Sequence, residues 1–127
     1  MNNFIKFNLN EKLNKSLKNI NFKIPTPVQT ESIPLVLEGK DILGSAQTGT
    51  GKTAAFCIPM IELLQRSSKG SALIMIPTRE LAKQVLDVVH SLLGFKNPIN
   101  TVSLIGGESM SKQLSQLKRR PRIFVGT

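Results

Sequence analysis

The chain has 127 residues, about one domain, and 40% of them are hydrophobic, which excludes an intrinsically disordered protein. Lys and Arg number 17 against 8 Asp and Glu, a formal net charge of +9. This balance favours a polyanionic partner such as nucleic acid or an anionic membrane. Solubility alone, or an AT-rich coding bias, would explain the charge equally well.

Cysteine usage and hydropathy indicate the compartment. Cys57 is the single cysteine, which excludes an intrachain disulfide and fits a reducing environment. The N-terminal residues lack the apolar core of a signal peptide, and no apolar run approaches the roughly 20 residues of a membrane span. We therefore expect a soluble, cytoplasmic protein with no membrane partner.

Two helix patterns occupy the first third of the chain. Leucines recur at every fourth position from residue 9 to residue 17, which predicts an amphipathic helix over about 10–20. A second helix is predicted over 26–38, because Thr26 and Gln29 have the spacing of a capping box. Pro27 occupies the first helical position, where proline is tolerated.

Beyond residue 40, apolar strand patterns alternate with helix patterns. Strands are predicted at 41–45, 71–76, 100–105 and 122–126. Helices are predicted at 52–66, at 79–93 and after Gly107. This alternation predicts an α/β fold in which a four-stranded parallel sheet carries helices on both faces. We expect the last strand to be left with an unpaired edge.

Residues 43–56, LGSAQTGTGKTAAF, lie between a predicted strand and a predicted helix. They nearly match the phosphate-loop pattern G-x-x-x-x-G-K-[ST], with Ala46 in place of the first glycine. Lys52 can reach the outer phosphates of a nucleotide, and the Thr53 hydroxyl can bind Mg²⁺. Alanine is acceptable at position 46 if its φ is negative. The alternative is a Gly/Thr-rich turn that precedes an ordinary helix.

Four segments, in order, resemble motifs of the DEAD-box ATP-dependent RNA helicases. AQTGTGKT (46–53) resembles motif I, and NFKIPTPVQ (21–29) resembles the Q motif, with Phe4 at the spacing of the upstream aromatic. PTRELA (77–82) is similar to motif Ia, and Gly106-Gly107 to the GG motif. The resemblance implies a P-loop NTPase of RecA type that is incomplete at its C-terminal end. Residues 1–30 would hold the N-terminal helix and Q motif, and 31–127 a partial ATP-binding domain.

The resemblance also assigns a nucleotide site for ATP and Mg²⁺. The phosphate-side residues would be Ala46, Gln47, Thr48, Gly49, Thr50, Gly51, Lys52 and Thr53. Lys52 and Thr53 would have the catalytic roles in this segment. On the base side, Gln29 would read the adenine edge and Phe22 would stack on it, with Phe4 nearby. Without the resemblance, Gln29 is a helix cap and Phe22 a core residue. The family usually has glycine where this chain has Asn21, which also tolerates positive φ.

RNA contacts follow in the same way from motif Ia and the GG motif. The residues implied are Pro77, Thr78, Arg79, Gly106 and Gly107, which would hold the RNA backbone without reading its sequence. The alternatives are a threonine N-cap and a plain turn. Outside the motifs, His90 and Cys57 are interpreted as packing or surface residues, and KRRPR (118–122) as a solvated helix end.

The function implied is that of an ATP-dependent RNA helicase, which unwinds or remodels RNA duplexes while hydrolysing ATP. The chain ends at Thr127, before the family's Asp-Glu-Ala-Asp and Ser-Ala-Thr motifs and its second RecA-type domain. A truncated, non-catalytic regulator that binds nucleotide or RNA is therefore an alternative. A DNA helicase or translocase is a second, against which the Q motif argues. A nucleotide-free structural domain is a third.

We expect the 127-residue chain to bind adenine nucleotide weakly at best and to hydrolyse none. Phosphoryl transfer requires metal ligation, a positioned water and arginine stabilisation, and the recognised motifs supply only a phosphate cradle and a base pocket. The measurement is a steady-state ATPase assay with and without RNA. A rate above background that Lys52→Ala abolishes would contradict this expectation.

Overall fold

The structure, a computed structural model, describes residues 3–49 and 51–127. A short 3₁₀ helix, Asn3–Phe7, comes first. The α-helices are α1 (Glu11–Asn19), α2 (Pro27–Leu37), α3 (Lys52–Arg66), α4 (Arg79–Leu93) and α5 (Met110–Leu117). The strands are β1 (Ala72–Met75), β2 (Thr101–Leu104) and β3 (Ile123–Gly126). The predicted helices are all confirmed.

The strands form one parallel sheet in the order β1-β3-β2. Ile74 of β1 lies opposite Val125 of β3, which lies opposite Ser103 of β2. The chain passes from β1 through α4 to β2, and returns through α5 to β3. Because such crossovers are right-handed, two connections that run in opposite directions place α4 and α5 on opposite faces. The predicted parallel α/β fold with helices on both faces is confirmed.

The hydrophobic core lies on the α4 face of the sheet. Ile123 and Val125 are fully buried there, in one cluster with Val89 and Leu92 of α4 and Leu17 of α1. Helices α1 and α3 pack against α4. On the opposite face, α5 covers β2 but leaves β1 open, where Leu73 is 68% and Met75 is 80% exposed. The sheet is therefore incompletely covered beside β1.

Two details of the predicted sheet are wrong. Residues 41–45 form no strand, and their side chains are exposed, Leu43 completely. A strand needs a hydrogen-bonding neighbour, and neither β1 nor β2 pairs with this segment. Strand β3 is not an edge, because it pairs with β1 on one side and β2 on the other. The described sheet therefore has three strands, with its last strand protected at the centre.

A buried carboxylate connects the N-terminal segment to α3. Glu62 is 1% exposed, and its Oε1 accepts hydrogen bonds from the backbone N–H of Asn10 at 2.6 Å and from Asn10 Nδ2 at 2.9 Å. Its Oε2 accepts a hydrogen bond from Arg66 Nε at 2.7 Å. Asn10 is also the N-cap of α1, since its Oδ1 accepts from the N–H of Leu13. Glu62 therefore fixes both the start and the position of α1.

We expect Glu62→Ala to lower the free energy of unfolding by about 2–4 kcal/mol, because it removes a buried acceptor shared by two part-buried donors of Asn10 and by Arg66. Urea unfolding followed by circular dichroism measures this change. Glu31→Ala, which removes an exposed carboxylate of α2, is the matched control and should have little effect. Equal losses of unfolding free energy in the two variants would show that the hydrogen bonds of Glu62 do not stabilise the fold.

Candidate functional site

The predicted phosphate loop leads into a helix whose first turn has no side-chain cap. Gly51 is the N-cap of α3, and its φ of 85° lies in the left-handed region. Asparagine, threonine or serine side chains cap the other α-helices of the described chain, from positions 10, 26, 78 and 109. Gly51 therefore offers no side-chain acceptor to the first N–H groups of α3, which lie at the positive end of the helix dipole. This arrangement suits an anion.

Lys52 and Thr53 are the first two residues of α3. The Lys52 side chain is exposed, whereas Thr53 is half-buried. An ammonium group at this place can approach the outer phosphates of a bound nucleotide. The described residues contain no group of three or more His, Cys, Asp or Glu that could hold a metal. A hydroxyl ligand such as that of Thr53 suits Mg²⁺, which usually keeps several waters and binds substrate phosphates.

The residues before α3 have irregular and mostly exposed backbone. Ala46 does not have a positive φ, so the condition for alanine at this position is confirmed. Gly49 has a φ of 81°, which glycine adopts without strain. Gln47 and Thr48 are exposed beside it. Thr50 lies outside the described residues.

Gln29 joins the predicted base side of the site to its phosphate side. Its Oε1 accepts from the N–H of Thr26 at 3.0 Å, and its own N–H donates to Thr26 Oγ1, so the predicted capping box is confirmed. Its Nε2 donates to the carbonyl oxygen of Gly51 at 3.2 Å. A primary amide has a second N–H and a second lone pair. Gln29 therefore keeps one N–H and one lone pair beyond these bonds, on a side chain that is only 3% exposed.

Phe22 and Phe4 form a tilted ring pair of which only Phe22 reaches the surface. Their ring centroids are 6.0 Å apart at an interplanar angle of 32°. Phe4 is fully buried, whereas Phe22 is half-buried. Asn21 has a φ of 62°, as expected for the position where the family usually has glycine. Phe4 is thus placed to support Phe22 from the core side.

The predicted RNA-binding residues lie together at the carboxyl ends of β1 and β2. Thr78 caps α4, because its Oγ1 accepts from the N–H of Leu81 at 3.2 Å. Arg79 Nη1 donates to the carbonyl oxygen of Gly106 at 3.4 Å, a long and weak hydrogen bond. Gly107 has a φ of 84°, and a Cβ there would meet the Arg79 guanidinium. Pro77 is exposed beside Thr78.

A small pocket of about 140 Å³ separates the two motifs. Besides Arg79 and the glycine pair, Glu80, Lys83 and Glu108 line it, none of which the sequence analysis singled out. The helical spacing of Arg79, Glu80 and Lys83 is the signal that could have placed them on one side of α4. The pocket is therefore lined by two cations, Arg79 and Lys83, and by two glutamates, Glu80 and Glu108.

Cys57 and His90, which were interpreted as packing or surface residues, show no feature of a reactive group. Burial raises the pKa of the Cys57 thiol from 9.0 to about 12, which keeps it protonated and unreactive. His90 lies far along α4 from the phosphate loop, and its Nε2 is 3.0 Å from Thr101 Oγ1. Within residues 3–49 and 51–127, no helix combines the length and the apolar character needed to cross a membrane.

Comparison with known proteins gives consistent matches over nearly the whole chain. Residues 26–127 match the family model described as DEAD/DEAH box helicase. The ATP-dependent RNA helicase CshA of Listeria monocytogenes is 47% identical over 128 residues, which cover 100% of this chain and 24% of that protein. The ATP-dependent RNA helicase DRS1 of Lodderomyces elongisporus is 47% identical over 127 residues, 98% of this chain and 18% of that protein. The chain thus spans a quarter or less of these curated relatives.

Solved structures match equally well. A DEAD box protein from the hyperthermophile Methanococcus jannaschii superposes with a TM-score of 0.85 at 41% identity, over 94% of this chain and 33% of that one. The DEAD-box helicase Mss116 bound to ssRNA and UDP-BeF superposes with a TM-score of 0.86 at 32% identity, over 94% and 26%. The described fold is therefore part of a RecA-type helicase domain.

We expect Gly51→Ala to lower the free energy of unfolding by about 2–4 kcal/mol. An added Cβ would be strained at a φ of 85° and would meet Gln29 Nε2 and, at 3.1 Å, Thr26 Oγ1. Gly49→Ala is the matched control, because it has the same backbone strain but no atom within 4 Å of the added Cβ. Urea unfolding of both variants isolates the contact. Equal losses would show that the contact of the added Cβ with Gln29 costs no stability beyond the backbone strain.

Proposed function

The chain belongs to the DEAD/DEAH box helicase family, and on that premise we propose that it is the nucleotide-binding and partly RNA-binding portion of an ATP-dependent RNA helicase. The observation that carries the proposal is the Gln29–Gly51 hydrogen bond at 3.2 Å. It holds the Gln29 amide, to which we assign base reading, beside the start of α3. The complete protein would couple ATP hydrolysis to the unwinding or remodelling of RNA duplexes, with a second helicase domain beyond this chain.

On the phosphate side, the N–H groups of the first turn of α3 and the glycine-rich loop would bind the anion. The loop residues proposed are Ala46, Gln47, Thr48, Gly49, Thr50 and Gly51. Lys52 would contact the outer phosphates, and Thr53 would supply a hydroxyl oxygen to Mg²⁺. When bound, Mg²⁺ neutralises charge on the phosphates. The negative φ at Ala46 and positive φ at Gly49 support this assignment, since they let the backbone follow a phosphate closely.

On the base side, we assign 21–29 as a Q motif in function. Gln29 would direct its free N–H and lone pair to the adenine edge, a pattern that guanine does not match. Phe22 would stack on the base, and Phe4 would act through Phe22 by packing behind it. The division at residue 30 then separates a base-side segment from a phosphate- and RNA-side domain.

For RNA, the exposed side chains and backbone of Pro77, Thr78 and Arg79 would hold a sugar-phosphate chain together with Gly106 and Gly107. The long Arg79–Gly106 hydrogen bond supports this role, because a guanidinium held so weakly can exchange a carbonyl for a phosphate. We place the protein in the cytoplasm, where the reduced, buried Cys57 is stable.

We expect the folded chain to bind a fluorescent ADP analogue in Mg²⁺, with unlabelled ADP displacing it and GDP failing to do so. Gln29→Ala should reduce the preference for ADP over GDP about fivefold to 30-fold, since it removes hydrogen bonds made to the base. Lys52→Ala should weaken ADP and GDP alike, because it removes a phosphate contact. Fluorescence titration measures both effects.

Lys69→Ala, which removes an exposed lysine beyond α3, is the control for charge and should bind as the unchanged chain does. Circular dichroism establishes that each variant is folded. A folded chain that binds neither nucleotide, or a Gln29→Ala variant that keeps its preference for ADP, would contradict the proposed site.

A further inference from the structure

A groove of about 440 Å³ lies at the amino end of β2, opposite the end that leads to Gly106 and Gly107. It forms where α4 and α5 end and β2 begins. We call it the basic groove, and its polar lining residues are His90, Lys96, Asn97, Asn100, Thr101, Gln116 and Arg119. Two residues that the sequence analysis discounted separately, His90 and Arg119 of the 118–122 run, therefore meet in one surface feature.

The charge of the basic groove is of one sign. Lys96 and Arg119 line it, and no Asp or Glu of the described chain does so. The small pocket beside Arg79 differs, because two glutamates line it. Neither Lys96 nor Arg119 belongs to an ion pair of the described residues. The groove thus offers two uncompensated cations to a ligand that carries negative charge.

The basic run at 118–122 divides into structural and available cations. Arg122 donates from its guanidinium to the carbonyl oxygens of Leu64, Lys69 and Gly70, at 2.7–2.9 Å, and so connects β3 to the end of α3. Lys118, Arg119 and Arg120 are exposed instead. Of these three, Arg119 lines the basic groove, together with Lys96 from the loop after α4.

The groove is built by side-chain hydrogen bonds that hold its two walls. Asn97 Nδ2 donates to the carbonyl of Leu93 at 2.8 Å, and Asn97 Oδ1 accepts from the N–H of Ile99 at 3.0 Å. Asn100 Nδ2 donates to the carbonyl of Arg119 at 2.9 Å, which joins the loop after α4 to the end of α5. Lys96 and Arg119 are therefore presented by connected backbone rather than by separate loops.

An exposed aromatic ring lies at the margin of the groove. Phe95 is 92% exposed, and Lys96 Nζ lies 5.6 Å from the centre of its ring. An exposed ring of this kind offers a flat apolar face to a partner. A cation next to an open aromatic face is the combination that binds single-stranded nucleic acid, through phosphate contacts and base stacking.

We propose that the basic groove is a second contact surface for single-stranded RNA, with Lys96 and Arg119 on phosphates and a base stacked on Phe95. The surface is distinct from the Arg79 and Gly106-Gly107 site, from which it is separated by the length of β2, about 13 Å for four residues. An acidic protein segment would satisfy the two cations but has no nucleobase to stack on the Phe95 ring, so the observations favour RNA.

The experiment measures binding of the 127-residue chain to a fluorescein-labelled oligouridine of 12 nucleotides, by anisotropy over a range of salt concentrations. Lys96→Glu with Arg119→Glu should weaken binding at least tenfold. Neutral Lys96→Gln with Arg119→Gln should reduce the slope of log K against log salt by about 1.4, the value for two phosphate contacts on a single strand. Phe95→Ala should weaken binding about fivefold or more without changing the slope.

Lys12→Glu with Lys69→Glu is the matched control, because it changes the net charge equally with exposed lysines that do not line the groove. Equal loss in the control would assign the effect to net charge and overturn the proposal. So would unchanged binding in the groove variants, or displacement of the RNA by polyglutamate with no effect of Phe95→Ala.

An Arg79→Ala arm keeps this proposal distinguishable from the proposed function. Its loss of affinity should add to that of the groove variants, since the two surfaces share no residue. If Arg79→Ala alone removes all RNA binding, the groove proposal fails while the RNA site beside Arg79 stands. If Arg79→Ala has no effect and the groove variants do, the reverse holds. A folded chain that binds no RNA contradicts both.

Discussion

A buried carboxylate has to be hydrogen-bonded, and Glu62 meets that requirement by accepting from Asn10 at the start of α1 and from Arg66 within α3. Glu62 sits in α3, ten residues or about 15 Å beyond Lys52. Through Asn10 it fixes the start of α1 against the helix that follows the predicted phosphate loop. Helix α3 thus holds α1 through Glu62 and α2 through the Gly51 carbonyl that accepts from Gln29.

The path from Glu62 to Phe22 is continuous. Helix α1 begins at Asn10, and near its end the carbonyl of Leu17 accepts from the N–H of Phe22 at 2.9 Å. The N–H of Asn3 donates to the carbonyl of Lys23, which places the buried Phe4 behind Phe22. The Phe22 ring is therefore positioned relative to α3 through α1.

Local patterns predicted the helices well, because capping and periodicity are properties of neighbouring residues. Thr26 with Gln29, and Thr78 before Arg79, mark helix starts that the structure reproduces. The positive φ at Asn21 agrees with the glycine that the family usually has there, which asparagine can replace. The pairing of strands was not predictable in the same way. Residues 41–45 have a strand pattern, yet pairing depends on which distant segments are adjacent.

The candidate site was also predicted only in part, because some of its contacts join distant segments of the chain. Gln29 was expected to cap a helix and to face a base, but its bond to the Gly51 carbonyl spans 22 residues and leaves no local signal. Glu62 has a helical sequence context that gives no hint of burial. Its partner Asn10 is 52 residues away. Contacts of this range depend on the fold, so a single sequence identifies the residue types without pairing them.

Net charge shows a further limit of prediction from sequence, because it counts the cations without locating them. The excess of cations in the composition is equally compatible with solubility and with a polyanionic partner, because a sum carries no positions. The structure separates the cations by what they touch. Arg66 and Arg122 satisfy buried or backbone acceptors of the fold, whereas Lys96 and Arg119 line a groove without a carboxylate. Cations of the second kind do nothing for the fold, so a partner is the better explanation for their convergence.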